Sequence, residues 1–301
     1  MSPSQIVDVA VSSVLGLIMF GVGLSLTAND FTRVVRYPRA FFSALGAQMI
    51  GLPIIAMTIS LIAPLPAELK VGFIILAASP GGATSGFLTY LWRGNVALSL
   101  SITSVNSFLT LFSIPIVVNI GLKIFLSRET DLHLPFLNTV SHIFFITILP
   151  ATLGLLVRRH YPDAAERLSK PAKYVMLVLL GVVFMIKMFA GENYGGAGLT
   201  WRDFLIISPV ALIQNASCLF FGYFFLQWMG LGHSSRLTAA MESGVQNTTL
   251  AFLIATLIGN QDMVKPALVY SLYSFWTACL FAYTANKLNS GAIAEVGAEE
   301  H

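Results

Sequence analysis

One acidic residue lies deep inside a long apolar stretch of this chain, among other oxygen-bearing side chains. Glu242 opens the run ESGVQNTT at residues 242–249. Of the 14 acidic residues, Asp8 and Asp203 fall near the ends of apolar stretches, and the other eleven fall between stretches or in the C-terminal tail. An unpaired charge among apolar residues is costly to bury, so a lone acid in this position indicates a functional site.

The sequence places no basic residue opposite Glu242. Lys187 lies near the end of its own apolar stretch, where we expect its side chain to extend to the membrane surface. We therefore expect the countercharge to be a cation from solution, and Na⁺ takes oxygen ligands of the kind that side chains and freed carbonyls supply here. A protonated Glu242 that makes a hydrogen bond between helices is the structural alternative.

A second run that is unsuited to a continuous helix occurs at residues 79–86, SPGGATSG, near the centre of another apolar stretch. Proline removes a backbone hydrogen bond and glycine raises the cost of helical order. Broken backbone at membrane depth is tolerated only where protein or a wet cavity covers it. Both runs therefore predict discontinuous helices that build a binding site.

Further oxygen-bearing side chains follow the first broken segment. Ser99, Thr103 and Asn106 share one helical face, and the short turn at residues 93–95 folds that helix back against the break. Without this turn, such a stripe more often serves helix packing than ligand binding. Gln48 lies at depth in another apolar stretch and is a further oxygen donor.

The composition explains where these groups must lie. The 301 residues are 56% hydrophobic and only 10% charged, with a mean hydropathy of +0.78, which excludes a soluble protein. The net charge of +3 has no run of like charges that would indicate nucleic-acid binding. Cys218 and Cys279 both lie within apolar runs and predict buried thiols.

Apolar windows predict an all-α polytopic membrane protein with nine transmembrane helices, one membrane domain over residues 1–288 and a short cytoplasmic tail over 289–301. The predicted spans are 6–26, 40–63, 71–92, 96–120, 136–157, 174–191, 204–228, 238–259 and 266–288. Eleven Lys and Arg residues fall on one side of the membrane and five on the other. This asymmetry predicts an outer N-terminus and a cytoplasmic C-terminus. The longest cytoplasmic connection is expected over 158–173.

The two broken helices, third and eighth in order, cross the membrane in opposite directions. This pattern is typical of inverted repeats whose paired discontinuous helices form a site at the midplane. We expect the first four helices to match the last four, with the fifth helix unpaired.

Three motifs resemble the bile acid:sodium symporter family: MFGVGL at residues 19–24, the segment from PGG at 80–82 through TYLWRGNVALS at 89–99, and ESGVQN at 242–247. The resemblance implies two crossed discontinuous helices in a core domain that moves against a panel domain. It places 71–120 and 238–288 in the core with 40–63 and 204–228, and it places 6–26, 136–157 and 174–191 in the panel.

The same resemblance implies sodium ligands and a substrate region. One sodium site would use Ser85, Ser99, Thr103 and Glu242, and the other would use Gln48, Glu242, Gln246 and the carbonyls of Ser243 and Val245. Family members carry Asn where this chain has Gly86, so the first site lacks one oxygen unless Asn106 replaces it. Asn247 and the backbone around Ala83 and Thr84 match positions that lie near the organic anion in family members.

The sequence therefore predicts a monomeric, sodium-coupled importer of an organic anion in a bacterial inner membrane. Proton coupling through Glu242, metalloid export and a non-transporting receptor remain alternatives. An intramembrane enzyme would have only Ser79, His142 and Glu242 as catalytic material. Metalloid export predicts a thiol at a broken helix, where the sequence has none.

Overall fold

A computed structural model describes residues 3–25, 38–126, 135–191 and 196–299 of the chain. Throughout these ranges the regular secondary structure is helical, which confirms the predicted all-α class. Residue 26 of the first predicted span, the predicted cytoplasmic Arg33 and Arg36, the predicted outer Arg128 and tail residues 300–301 lie outside the described residues.

The described helices are numbered here in chain order. They are α1 Pro3–Ser25, α2 Pro38–Ile62, α3 Ala67–Ala77, α4 Ala83–Leu91, α5 Val96–Phe125, α6 Phe136–Ile143 continuing as Leu149–His160, α7 Pro162–Phe189, α8 Trp201–Trp228, α9 His233–Gly244, α10 Thr248–Ile258 and α11 Lys265–Glu299.

Four of these helices are long and apolar enough to cross a membrane, which agrees with a polytopic membrane protein. They are Pro38–Ile62, Val96–Phe125, Leu137–His160 and Trp201–Trp228. Their outward faces expose large apolar side chains such as Ile50, Phe145 and Phe220, as expected where lipid is the solvent. The count of nine crossings stays a prediction.

Both predicted breaks are present. Within the predicted span 71–92, α3 ends at Ala77 and α4 begins at Ala83, with Pro80 between them. Within 238–259, α9 ends at Gly244 and α10 begins at Thr248. Pro80 has no N–H to continue the first helix, and Val245 leaves the second in a non-helical conformation with φ −108° and ψ 86°.

The helices α2 and α6 each contain one wider, π-helical turn. In α2 the turn Ala47–Gly51 includes Gln48 and precedes Pro53, and in α6 the turn Phe144–Ile148 precedes Pro150. Proline has no N–H to donate to the carbonyl four residues before it. That carbonyl can accept from the N–H of the next residue instead, which gives the wider π-helical turn.

The predicted connection over 158–173 is almost entirely helical. Only Tyr161 separates α6 from α7, because Pro162 favours the first position of a helix and Asp163 favours its first turn. Hydropathy windows find the apolar part of α7 and miss its polar first turns. The last helix likewise continues from the predicted span 266–288 through most of the predicted tail, to Glu299.

The predicted surface position of Lys187 is also wrong. Its side chain is fully buried. The segment that follows α7 folds back onto the helix, and the Ala197 N–H donates a hydrogen bond to the Lys187 carbonyl at 2.9 Å. The Lys187 side chain therefore lies inside the described protein and does not extend to the membrane surface.

Helix packing leaves the broken helices at the centre of the described residues. The helix α1 packs along α6 and α7, whereas α8 packs along α9 and α11. Phe73 of α3, Phe252 of α10 and Tyr270 of α11 are fully buried in the largest apolar cluster. The turn between α4 and α5 is attached to α9, since the Asn95 N–H donates to Thr238 Oγ1 at 2.7 Å.

Candidate functional site: a crossing of two broken helices around Glu242

The two helix breaks meet. The Asn247 N–H in the second break donates a hydrogen bond to the Ser79 carbonyl in the first, at 3.0 Å. Gly81 lies directly against Glu242, and a Cβ atom added at Gly81 would come within 2.8 Å of the Glu242 carbonyl oxygen and of Glu242 Oε2. Because residue 81 is glycine, the carboxylate of Glu242 can lie directly against the first break.

Three hydroxyl groups surround the carboxylate of Glu242. Ser85 Oγ donates to Glu242 Oε1 at 3.0 Å, and Ser99 Oγ donates to the same oxygen at 2.5 Å. Thr103 Oγ1 donates to Glu242 Oε2 at 3.2 Å. All four residues of the first predicted sodium site are therefore adjacent in the fold.

Three separate helices position this group. Ser85 lies in the first turn of α4, directly after the break. Ser99 and Thr103 lie one turn apart on α5, whose start is capped by the Asn95 side chain accepting from the Leu98 N–H at 3.0 Å. Glu242 occupies the last turn of α9. The oxygens are brought together by the fold, since Ser85 and Glu242 are 157 positions apart in the sequence.

The electrostatics of the site favour the binding of a positive charge. Glu242, Ser85 and Ser99 are completely buried. The ion pairs found among the described residues join Lys265 to Asp203 and to Asp262, at 3.0 and 2.5 Å, and none of them involves Glu242. A buried carboxylate without a basic partner is stabilised by a bound cation, and hydroxyl oxygens can turn their lone pairs towards one.

Hydrogen bonds among the described residues join only part of the second predicted group. Gln48 Oε1 accepts a hydrogen bond from Asn106 Nδ2, so Asn106 joins Gln48 and makes no hydrogen bond to the Glu242 carboxylate. Gln246 Nε2 donates to Cys218 Sγ at 3.7 Å. Gln246 Oε1 and Ser243 Oγ are buried without a hydrogen-bond partner, so both oxygens are free to accept a ligand.

Sequence reasoning missed two residues that support the second break. Asn215 Nδ2 and the Tyr270 hydroxyl both donate to the Gly244 carbonyl, at 2.8 and 2.7 Å. This carbonyl lies at the end of α9 and would otherwise lack a helical partner. The available signal was the polar pair Gln214 and Asn215 within an otherwise apolar segment.

The predicted substrate residues lie on both sides of the crossing. Asn247 lines a small cavity of about 30 Å³ together with Gly82 and Asn106, and its Oδ1 caps α10 by accepting from the Leu250 N–H at 3.0 Å. Thr84 is exposed and lines a different cavity of about 400 Å³ beside Gln246. Ala83 begins α4, and no side chain caps that helix start.

A larger cavity adjoins the small one beside Asn247. It has a volume of about 230 Å³, and the two cavities share the lining residues Met19, Val22, Thr103 and Ser107. The larger cavity lies between α1, α5 and α6 and is mostly apolar. The combined space is polar at the crossing and apolar further away, which suits an amphipathic organic molecule.

An intramembrane enzyme would need His142 or Ser79 beside Glu242, and both side chains instead contact carbonyls of their own helical segments. His142 is exposed, and its Nδ1 contacts the Asn138 carbonyl of its own helix at 2.9 Å. Ser79 Oγ donates to the Ile75 carbonyl at 2.9 Å.

The sequence argument against metalloid export was incomplete, because Cys218 reaches the second break from α8 and contacts Gln246.

Comparison with known proteins assigns the chain to a family. The family model described as "Sodium Bile acid symporter family" matches residues 13–194, which is 182 of the 301 residues. The chain is 28% identical over 265 residues to the uncharacterized sodium-dependent transporter YocS of Bacillus subtilis, covering 86% of this chain and 77% of that protein.

Other relatives are eukaryotic. The chain is 28% identical to the probable sodium/metabolite cotransporter BASS2, chloroplastic, of Oryza sativa subsp. japonica, over 80% of this chain and 55% of that protein. It is 23% identical to the ileal sodium/bile acid cotransporter of Oryctolagus cuniculus, over 92% of this chain and 79% of that protein. The chain therefore belongs to the Sodium Bile acid symporter family and is a membrane transporter rather than an enzyme.

Proposed function

We propose that this protein is a secondary transporter that imports an organic anion together with sodium. The observation that carries the proposal is the completely buried Glu242 carboxylate, which receives three hydroxyl groups where two broken helices cross. A cation that binds there neutralises a charge that the surrounding helices leave unpaired. Relatives named as sodium-dependent transporters support sodium as that cation.

The first sodium site in this proposal uses Ser85, Ser99, Thr103 and Glu242, and it binds sodium more weakly than the second site because Gly86 supplies no side-chain oxygen. Sodium displaces the hydroxyl hydrogens from the carboxylate, and the same oxygens become its ligands. The second site uses Gln48, Gln246, Glu242 and the carbonyls of Ser243 and Val245. The unpartnered Gln246 Oε1 supports this second set.

The organic anion binds beside the crossing, near Asn247, Ala83 and Thr84. The start of α4 points its free N–H groups at the crossing, and a helix N-terminus favours negative charge. Bound sodium removes the repulsion between the Glu242 carboxylate and the anion, which gives a physical reason for coupling the two. The names of relatives support bile acids or other metabolites as the substrate class.

Transport proceeds by alternating access of a panel made by α1, α6 and α7 against a core made by the other helices. The packing of α1 along α6 and α7 supports the panel as a unit. Hydrogen bonds between the two breaks and between Asn95 and Thr238 support a rigid core. The proposal includes nine crossings, inverted repeats, an outer N-terminus, a cytoplasmic C-terminus and a monomer in the cell inner membrane.

Uptake into proteoliposomes tests the proposal. The purified chain is first screened by thermal shift against carboxylates and sulfonates in sodium buffer, and the stabilising compound is then used as radiolabelled substrate. We expect accumulation driven by an inward sodium gradient and none with potassium. Accumulation that follows a pH gradient without sodium would favour proton coupling instead, and binding without accumulation would favour a receptor.

A further inference from the structure

The Gly244 carbonyl lies between the two carbonyls proposed as sodium ligands, those of Ser243 and Val245. Asn215 Nδ2 of α8 and the Tyr270 hydroxyl of α11 both donate to it, at 2.8 and 2.7 Å. Two donors saturate the lone pairs of a carbonyl oxygen. The Gly244 carbonyl is therefore fully used by the protein.

These two donors are themselves held in place. Asn215 and Tyr270 are completely buried, and the Thr277 hydroxyl donates to Asn215 Oδ1 at 2.5 Å. A Cβ atom added at Gly244 would come within 2.3 Å of a methyl group of Leu219. The peptide at the end of α9 is thus fixed by two helices, and only glycine fits there.

A third contact fixes the next proposed ligand. Cys218 lies three residues after Asn215, on the same face of α8, and its Sγ accepts from Gln246 Nε2 at 3.7 Å. The amide Oε1 of Gln246 is left buried without a partner. The thiol therefore decides which way the amide of Gln246 points.

We infer that Asn215, Cys218 and Tyr270 are positioning residues for sodium, on the assumption that the proposed function is correct. Holding the Gly244 carbonyl fixes the peptide plane that lies between the peptide planes of Ser243 and Val245, and so limits how far the carbonyls of these two residues can turn. Holding Gln246 Nε2 at Cys218 fixes the direction in which its Oε1 points. None of the three positioning residues contacts the ion, and each acts through Gly244 or Gln246.

The test compares two matched tyrosines on α11. Tyr270→Phe removes the hydroxyl that donates to Gly244 at the end of α9, whereas Tyr273→Phe removes a hydroxyl that donates to Ser208 Oγ of α8 at 3.0 Å. Sodium titration of thermal stability is measured on the purified full chain. We expect Tyr270→Phe to raise the half-saturating sodium concentration about 3- to 10-fold, and Tyr273→Phe to leave it unchanged.

A second pair of variants separates positioning from packing. Cys218→Ser keeps an acceptor for Gln246 Nε2 and Cys218→Ala removes it, while Cys279→Ala on α11 serves as the control. We expect Cys218→Ala to raise the half-saturating sodium concentration and Cys218→Ser to restore it. Equal sodium affinity in Cys218→Ala and wild type, together with equal affinities in the two tyrosine variants, would overturn the inference.

The wild-type protein distinguishes failure of this inference from failure of the proposed function. Wild-type stabilisation by sodium over potassium is expected, and its absence would overturn both the function and the inference. Sodium-dependent stabilisation that all variants retain at wild-type concentrations would overturn the inference alone. A purely structural role predicts a lower melting temperature without sodium and an unchanged half-saturating concentration.

Discussion

The backbone N–H of Asn247 donates a hydrogen bond to the carbonyl of Ser79 at 3.0 Å, and this contact joins the two helix breaks. Each break alone would leave unsatisfied backbone groups at membrane depth. Together they satisfy part of each other's backbone and bring Ser85 next to Glu242. The same contact that stabilises the crossing therefore assembles the proposed sodium ligands.

Glu242→Gln is expected to abolish sodium-driven uptake, to less than about one hundredth of the wild-type rate, because the cation loses the charge that offsets its desolvation. The amide keeps nearly the same shape, so the protein should remain folded in detergent. Glu68→Gln, in the first turn of α3, is the matched control. Wild-type uptake by Glu242→Gln would refute the assignment of the sodium site.

Gln246→Ala and Gln48→Ala are expected to weaken sodium binding without changing the net charge. Loss of one buried oxygen ligand costs about 1–3 kcal/mol, which corresponds to a half-saturating sodium concentration about 5- to 150-fold higher. Gln227→Ala, at the exposed end of α8, controls for the loss of a glutamine. If both variants require wild-type sodium concentrations for half-maximal uptake, the second site lies elsewhere.

Gly86→Asn tests the sodium stoichiometry. Gly86 lies within α4 outside the left-handed region, and the nearest atom to an added Cβ is Ser99 Oγ at 3.4 Å, so a side chain fits. Its oxygen would join the first site, and we expect the Hill coefficient for sodium to rise from about one to about two. Current recorded from reconstituted liposomes checks the change. A Hill coefficient near two in the wild type would show that the first site is complete without an asparagine at position 86.

Gly81→Ala should be far more damaging than its small size suggests. The added Cβ would lie 2.7 Å from Ser85 Oγ and 2.8 Å from both the carbonyl oxygen and Oε2 of Glu242, so the crossing must move. We expect a lower melting temperature and reduced sodium-dependent stabilisation. Gly46→Ala on α2, where no atom lies within 4 Å, is the control. Equal behaviour of the two variants would contradict the close packing at the crossing.

Two open glycines test the orientation in the membrane. Gly191 follows α7 and Gly232 precedes α9, and neither has an atom within 4 Å of an added Cβ. We expect Gly191→Cys to react with a membrane-impermeant maleimide added outside intact cells, and Gly232→Cys to react only after the cells are opened. The wild type, with one buried and one half-buried thiol, sets the background. The reverse labelling pattern would contradict the predicted orientation of the helices in the membrane.

The sequence by itself determined the membrane class, the two breaks and the central acid. Hydropathy depends on composition, and a break follows from residues such as Pro80 that cannot continue a helix. The family resemblance grouped Ser85, Ser99 and Thr103 with Glu242 in one hypothesis, and the fold brings these three hydroxyls to its carboxylate. These features are properties of short segments or of motifs.

Only the tertiary structure decided which side chains face each other across helices. It placed Asn106 against Gln48, buried the side chain of Lys187, and brought Cys218 and Asn215 to the second break. Each of these contacts depends on the rotation of a helix about its axis and on how neighbouring helices pack. Hydropathy is insensitive to both, because a helix surrounded by lipid and protein is apolar on nearly all its faces.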